Sequence, residues 1–203
     1  MNASSGELRE SEAGSDPLAL FGRWFAEAQA ANVTQPEAFT LATTTSDGLP
    51  AARVVLLRGW DESGFAFFTN YNSRKGGELR DNPRAALVFF WPELGRQVRI
   101  EGGTELLTPA ESDAYFRTRP RGHQLSAWIS PQSQVIPSRE MLEEQLGKLE
   151  ARFPREVPRP PFWGGYRVRP SSIEFWQTRE NRLHDRLRFR REGVGWVRER
   201  LAP

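Results

Sequence analysis

The chain has 203 residues, enough for one domain with a full hydrophobic core, and its 28 basic residues against 26 acidic ones leave a net charge of +2, too balanced to mark a nucleic-acid binder. It contains no cysteine, which excludes disulfide frameworks, thiolate metal sites and cysteine nucleophiles. No stretch approaches the ~20 apolar residues of a membrane span. Residues 1–16, MNASSGELRESEAGSD, have neither the basic start nor the apolar core of a secretory signal. They read as a disordered polar tail on a cytoplasmic protein, followed by a single domain over 17–203.

Asp16-Pro17 marks a helix start, and Leu18, Phe21, Trp24, Phe25 and Ala28 recur at helical spacing to about Ala31. A series of strands follows: FTLATTT (39–45), a turn at Asp47-Gly48, AARVVLLRG (51–59), the turn DESG and FAFFTN (65–70). Connections this short require antiparallel neighbours, since a parallel crossover needs a dozen or more residues. SRKGGELRDNP (73–83) holds a short helix. RAALVFFW (84–91) and RQVRIEGGTELL (96–107) are the next strands. TPAESDAYFRTRP carries a Thr cap, an early Pro and a Pro stop, and residues 137–153 form a further helix. The Pro-rich stretch 154–165 reads as an extended surface connector. Strands return at YRVRPSSIEFWQ, RLRFRR and GWVRERL. The pattern predicts a mainly β, antiparallel barrel, closed or nearly so, with flanking helices.

The sequence offers two local candidates for chemistry. Ser73, Arg74 and Lys75 stand at a strand-to-helix junction, where free N–H groups and two cations suit a phosphate, or simply cap a surface helix. The chain has 26 arginines and only two lysines, so Lys75 stands out. In RLHDRLRFRR, period-two alternation puts Leu183, Asp185, Leu187 and Phe189 on one face and Arg182, His184, Arg186, Arg188 and Arg190 on the other. The polar face serves equally as a solvated surface. No dinucleotide or nucleotide loop appears, nor a nucleophile elbow, and the two histidines lack zinc-ligand spacing, so no metal is expected.

Taken in order, IEFWQTRENRLHDR (173–186), RVVLLRG, FFTNYNSRKG, RQVRIEG, YFRTRPRGHQ, PQSQVI, FWGGYRV and the terminal RLAP resemble the pyridoxine/pyridoxamine 5′-phosphate oxidase family over residues 16–203. The resemblance implies an FMN-binding split β-barrel, assembled as a homodimer with FMN at the subunit interface. It implies oxidation of pyridoxamine or pyridoxine 5′-phosphate to pyridoxal 5′-phosphate, a hydride equivalent passing from C4′ to flavin N5. Oxygen is then reduced to hydrogen peroxide, and the amine substrate also yields ammonia.

Carried over onto this chain, the resemblance assigns FMN to Arg53, Val54, Val55, Leu56, Leu57, Arg58, Phe68, Thr69, Arg74, Lys75, Gln97, Gln132, Ser133, Trp176 and Arg186. It gives the small phosphorylated pyridine substrate to Arg58, Tyr115, Arg119, His123, Arg182, Leu183 and His184, with Arg182 and His184 as the catalytic pair. Three positions depart from the family: Arg58 replaces Lys, His123 replaces Ser and Thr178 replaces Gly. Rival readings are a related flavin oxidase acting on another ring, such as a phenazine precursor, and a non-catalytic FMN or pyridoxal phosphate binding protein. The intact RLHDR disfavours the first; flavin bleaching by substrate without oxygen separates out the second. No nucleic-acid or membrane partner is expected.

Overall fold

The computed structural model describes residues 6–203. Asp16 caps the first long helix, α2 (Pro17–Ala30), its carboxylate accepting from the Leu18 N–H at 2.8 Å while Pro17 fills the first turn. Leu20, Phe21, Trp24, Phe25 and Ala28 form its buried stripe. Among the described residues no helix is long and apolar enough to cross a membrane.

Among the described residues nine strands build one sheet: β1 (Ala38–Thr44), β2 (Pro50–Leu56), β3 (Gly59–Asp61), β4 (Gly64–Asn70), β5 (Arg84–Trp91), β6 (Arg96–Leu106), β7 (Trp163–Gln177), β8 (Asp185–Glu192) and β9 (Gly195–Arg200). Every pairing is antiparallel, in the order β2-β1-β5-β6-β7-β4-β3, with β8 and β9 continuing from β7. The 15-residue β7 organises the molecule. β6 follows one of its edges, while the other edge pairs first with β4 (Trp163 to Val168) and then with β8 (Ser172 to Gln177).

The expected strand 51–59 is broken. Leu57 donates its N–H to Glu37 on the β1 side, and Arg58 donates to Ala66 on β4, so the chain changes sheet edge between consecutive residues and closes a barrel corner. Alternation along the strands turns Phe39, Leu41, Leu87, Phe89, Val98 and Ile100 inward, all at most 1% exposed. Phe21 from α2 fills the middle, its ring 4.9 Å from Phe65, 5.2 Å from Phe89 and 5.2 Å from Trp60. Each such side chain contributes about 1.5–3 kcal/mol by burial.

The remaining helices are α3 (Arg74–Asp81), α4 (Pro109–Thr118), α5 (Arg121–Ile129) and α6 (Glu140–Arg152). Thr108 and Glu111 form a capping box at the start of α4. Phe116, Leu125, Ala127, Val157 and Trp163 make a second, smaller core beneath α4 and α5. The sequence reading did not foresee α5, and the connector expected over 154–165 ends early, because Trp163, Gly164 and Gly165 already pair with β4.

Two further expectations are corrected. Of the expected disordered tail, residues 1–5 lie outside the described residues, but residues 6–16 are part of the fold. The short helix α1 spans Glu10–Ala13, and Leu8 and Ala13 are buried. The alternation read through RLHDRLRFRR holds only from Asp185 onward. Asn181 and Arg182 adopt left-handed backbone, with φ of 54° and 61°, which ends any extended run, so Arg182, Leu183 and His184 sit in a turn. Leu183, expected on the same face as Leu187 and Phe189, is 69% exposed, whereas Leu187 and Phe189 are fully buried.

Candidate functional site

A cavity of about 530 Å³ opens between β2, the N-terminal half of β7 and the second core, a size that suits a small-molecule cofactor. Arg53, Val54, Val55 and Leu56 of β2 line one wall, with Arg58 at the barrel corner. Phe68 and Thr69 of β4 and Lys75 from the first turn of α3 form the floor. Tyr115, Arg119 and His123 approach from α4 and α5, and Gln132 closes the rim.

The polar floor is ordered by the strand-to-helix junction. Ser73 caps α3, its hydroxyl accepting from the Gly76 N–H at 3.3 Å. Gly76 is required here, because a Cβ would stand 2.2 Å from the Tyr71 carbonyl oxygen. The tight approach brings Lys75 inward, where its Nζ donates to Gln132 Oε1 at 2.9 Å and to Thr69 Oγ1 at 3.2 Å. Burial pulls the Lys75 ammonium below the ordinary lysine value; Arg53 adds to the shift and Glu78 opposes it.

Glu78, which the sequence reading passed over, ties this floor together. Its side chain is only 4% exposed, and it accepts from Arg53 Nη2 at 2.8 Å, from Arg74 Nε at 2.8 Å and from the Thr43 hydroxyl. Burial pushes its pKa up, but the hydrogen bonds from Thr43, Arg53 and Arg74 outweigh that and hold it below the usual carboxylate range. Three cations (Arg53, Arg74, Lys75) against one carboxylate leave the junction positive, and two of them, Arg53 and Lys75, face the cavity, where they suit an anion such as a phosphate. Arg74 itself, bound to Glu78, lies outside the cavity lining.

The opposite wall is aromatic. Phe68 stacks on Tyr115 at 4.0 Å and on Trp163 at 5.5 Å. The Arg119 guanidinium lies 4.6 Å from the Trp163 ring centre, and its Nη1 is buried without a hydrogen-bond partner. Burial lowers the Arg119 pKa, opposed by Tyr115 and reinforced by Arg58. A buried, unsatisfied guanidinium N–H beside an open cavity is a place for an anionic ligand.

The other expected residues gather elsewhere. Gln97, Trp176 and Arg186 are neighbours in register across β6, β7 and β8, at the end of β7 remote from the cavity strands. Arg186 donates to the buried Glu174 at 2.7 Å and to the Ala202 carbonyl at 2.9 Å. The His184 ring lies 4.6 Å from that of Trp176, and its Nδ1 accepts from the Arg179 N–H at 3.1 Å, which leaves Nε2 as the nitrogen open to a ligand. Arg182 and Leu183 are exposed in the adjoining turn. Thr178 donates its N–H to Gly95 at 2.8 Å; a Cβ on Gly95, whose φ is 59°, would stand 2.2 Å from the Thr178 methyl. Leu57 is buried and Ser133 is exposed; neither lines the cavity. The expected residues therefore form two clusters, a cationic cavity around Lys75 and Arg119 and an open face around Trp176 and His184.

Comparison with known proteins adds to this geometry. Residues 25–152 match the family described as pyridoxamine 5′-phosphate oxidase, and residues 163–203 match the pyridoxine 5′-phosphate oxidase C-terminal dimerisation region. A pyridoxine/pyridoxamine 5′-phosphate oxidase of Rubrobacter xylanophilus is 61% identical over 97% of this chain and 91% of its own length. One of Thermosynechococcus vestitus is 56% identical over 97% of this chain and 93% of its own. Among solved structures, PhzG of Burkholderia lata, crystallised with tetrahydrophenazine-1-carboxylic acid, superposes with a TM-score of 0.93 at 36% identity, covering 99% of this chain and 100% of its own. A pyridoxamine 5′-phosphate oxidase-related, FMN binding protein of Nostoc punctiforme shares the fold, with a TM-score of 0.71 at 20% identity over 89% of this chain and 96% of its own.

Proposed function

The chain belongs to the pyridoxine/pyridoxamine 5′-phosphate oxidase family, and from that premise we propose that it converts pyridoxamine or pyridoxine 5′-phosphate to pyridoxal 5′-phosphate on FMN, within a homodimer. The observation that carries the reading is the cationic cavity, with Lys75 and Arg53 set against one buried carboxylate on one wall and the unsatisfied Arg119 on the other. Two separate anion sites suit a phosphorylated cofactor and a phosphorylated substrate.

FMN supplies the redox chemistry, accepting two electrons from the substrate and passing them to oxygen as hydrogen peroxide. The chain's own part is binding and positioning. Lys75, Arg53 and the start of α3 neutralise the cofactor phosphate, with Arg74 held one turn away on Glu78. Thr69 and Gln132 fix the polar tail. Arg119, Arg58, Tyr115 and His123 take the substrate phosphate at the other end of the cavity. Oxidation of the amine consumes water and releases ammonia, whereas the alcohol needs neither.

Gln97, Trp176, Arg186 and the Arg182–His184 turn complete the site from the partner protomer. Their gathering at the other end of β7, within the stretch that matches a dimerisation region, supports this arrangement. In that arrangement Arg182 would cover one face of the substrate ring and His184 would offer Nε2 to the reacting region. Positioning of this kind accounts for a large share of the rate when donor and acceptor must stack at short range.

The direct test is turnover. Purified protein with FMN should form pyridoxal 5′-phosphate and an equal amount of hydrogen peroxide from pyridoxamine 5′-phosphate. It should act far less on unphosphorylated pyridoxamine or on a reduced phenazine carboxylic acid. Oxidation of the phenazine with no action on the pyridine phosphates would favour the rival reading, a related flavin oxidase acting on another ring.

A further inference from the structure

The segment Glu7–Glu10 lies across the C-terminal strands and grips both ends of the turn that carries Arg182 and His184. At the first end, Arg179 Nη2 donates to Glu7 Oε1 at 3.2 Å, and the Arg179 backbone N–H is the group that holds His184 Nδ1 at 3.1 Å. At the other end, the Leu8 N–H donates to Asp185 Oδ2 at 3.2 Å, and Asp185 Oδ1 accepts from Arg200 Nη1 at 2.8 Å. Arg200 is in turn bound to the segment, donating to the Leu8 carbonyl at 2.9 Å and to Glu10 Oε2 at 2.9 Å. The Leu8 side chain is 6% exposed and packs into the main core, so the segment is anchored by apolar burial as well as by charge.

The turn itself needs such support. Asn181 and Arg182 are consecutive left-handed residues, and neither is glycine. Within the turn the Leu183 N–H donates to the Glu180 carbonyl at 3.1 Å, Arg179 pairs with Asp185 across its ends at 3.6 Å, and Arg182 and Leu183 are exposed. A conformation of this kind persists when its ends are fixed from outside.

We propose that residues Glu7–Glu10, with Asp185 and Arg200, act as positioning residues: an N-terminal strap that sets the 179–184 turn and thereby the tautomer and orientation of His184. The strap touches neither cavity cations nor aromatic wall, so its loss should change the placement of Arg182 and His184 and leave the cofactor phosphate site intact. The proposal rests on the assignment of this turn to substrate handling, but the strap's effect on His184 is measurable without turnover.

The chain has only two histidines, so protein labelled with ¹⁵N-histidine gives a simple spectrum in which His123 serves as the internal control. In the FMN-loaded wild-type protein, His184 should show the Nε2–H tautomer with Nδ1 as acceptor. In Glu7→Ala/Glu10→Ala the His184 signals should move towards a mixture of tautomers while those of His123 stay in place. The same variant should bind FMN as wild type does and lose about tenfold or more in kcat/KM for pyridoxamine 5′-phosphate. Should the double variant fail to fold, Glu10→Gln, which keeps the side-chain shape and removes the charge facing Arg200, is read in the same way. Unchanged His184 signals overturn the proposal whatever the kinetics do. Displaced His184 signals in a protein that never oxidises the substrate would uphold the strap and count against the functional reading alone.

Discussion

The Arg119 guanidinium lies over the Trp163 ring at 4.6 Å with its Nη1 buried and unpaired. A desolvated guanidinium in that position is set for an anion, and the ring holds its plane in place. We expect Arg119→Ala to keep FMN and to raise KM for pyridoxamine 5′-phosphate by about 10- to 150-fold, the scale of one charge-assisted hydrogen bond. Discrimination against unphosphorylated pyridoxamine should collapse in parallel. Steady-state kinetics on the two substrates measure both effects, and equal losses on both would place Arg119 away from the phosphate.

Glu78→Ala should be the most damaging substitution on the cavity floor. It leaves Arg53, Arg74 and Thr43 facing a void where a buried carboxylate had satisfied them all. Removing one partner of a buried pair costs about 3–5 kcal/mol, so urea denaturation should show a loss of that order. FMN affinity should fall with it, because the two arginines lose their fixed positions. An unaltered denaturation midpoint would mean that Glu78 is dispensable to the floor.

Lys75 makes FMN affinity depend on pH. Its pKa is depressed chiefly by burial, so the free protein bears the cost of a desolvated cation at neutral pH and is relieved of it as pH rises through the folded value. The cofactor phosphate favours the charged form. Affinity should therefore be highest below the folded pKa and decline above it, with onset below the ordinary lysine value of 10.5. Lys75→Arg keeps its charge throughout this range and should hold its affinity to higher pH. Flavin fluorescence titrations at stepped alkaline pH decide the matter; superimposable profiles for the two proteins would assign the dependence to another group.

His184→Ala and Arg182→Ala should retain FMN and lose about 2–3 kcal/mol of transition-state stabilisation, or 30- to 150-fold in kcat/KM. Wild-type rates in both would make the exposed turn a surface feature.

Much of this architecture was legible in the residues themselves. The Asp16-Pro17 start, the Thr108 cap and the strands at 39–45 and 84–91 are local signals, and the structure carries each of them. The failures have physical causes. The alternation in RLHDRLRFRR runs on unbroken in the letters, and only the left-handed pair Asn181 and Arg182 interrupts it in space. Glu78 reads as an exposed helix acid one turn after Arg74, because its burial under β1 is a tertiary contact with Thr43. The segment around Leu8 is polar enough to pass for a tail, and its order comes from partners more than 170 positions away, Asp185 and Arg200. Family resemblance named the candidate residues; their division into a cavity and a separate face was not legible, since that depends on which end of β7 each residue adjoins.

The central claim is that one working site needs the cavity of one protomer and the Trp176–His184 face of another. It is tested most directly by mixing two impaired homodimers, Arg119→Ala and His184→Ala, under conditions that allow subunit exchange. A two-fold mixed dimer has one site carrying both substitutions and one carrying neither, so activity should recover to about a quarter of wild type at random exchange. If both groups serve a site within one chain, every site in the mixture carries one defect, and activity would stay at the average of the two parents however complete the exchange.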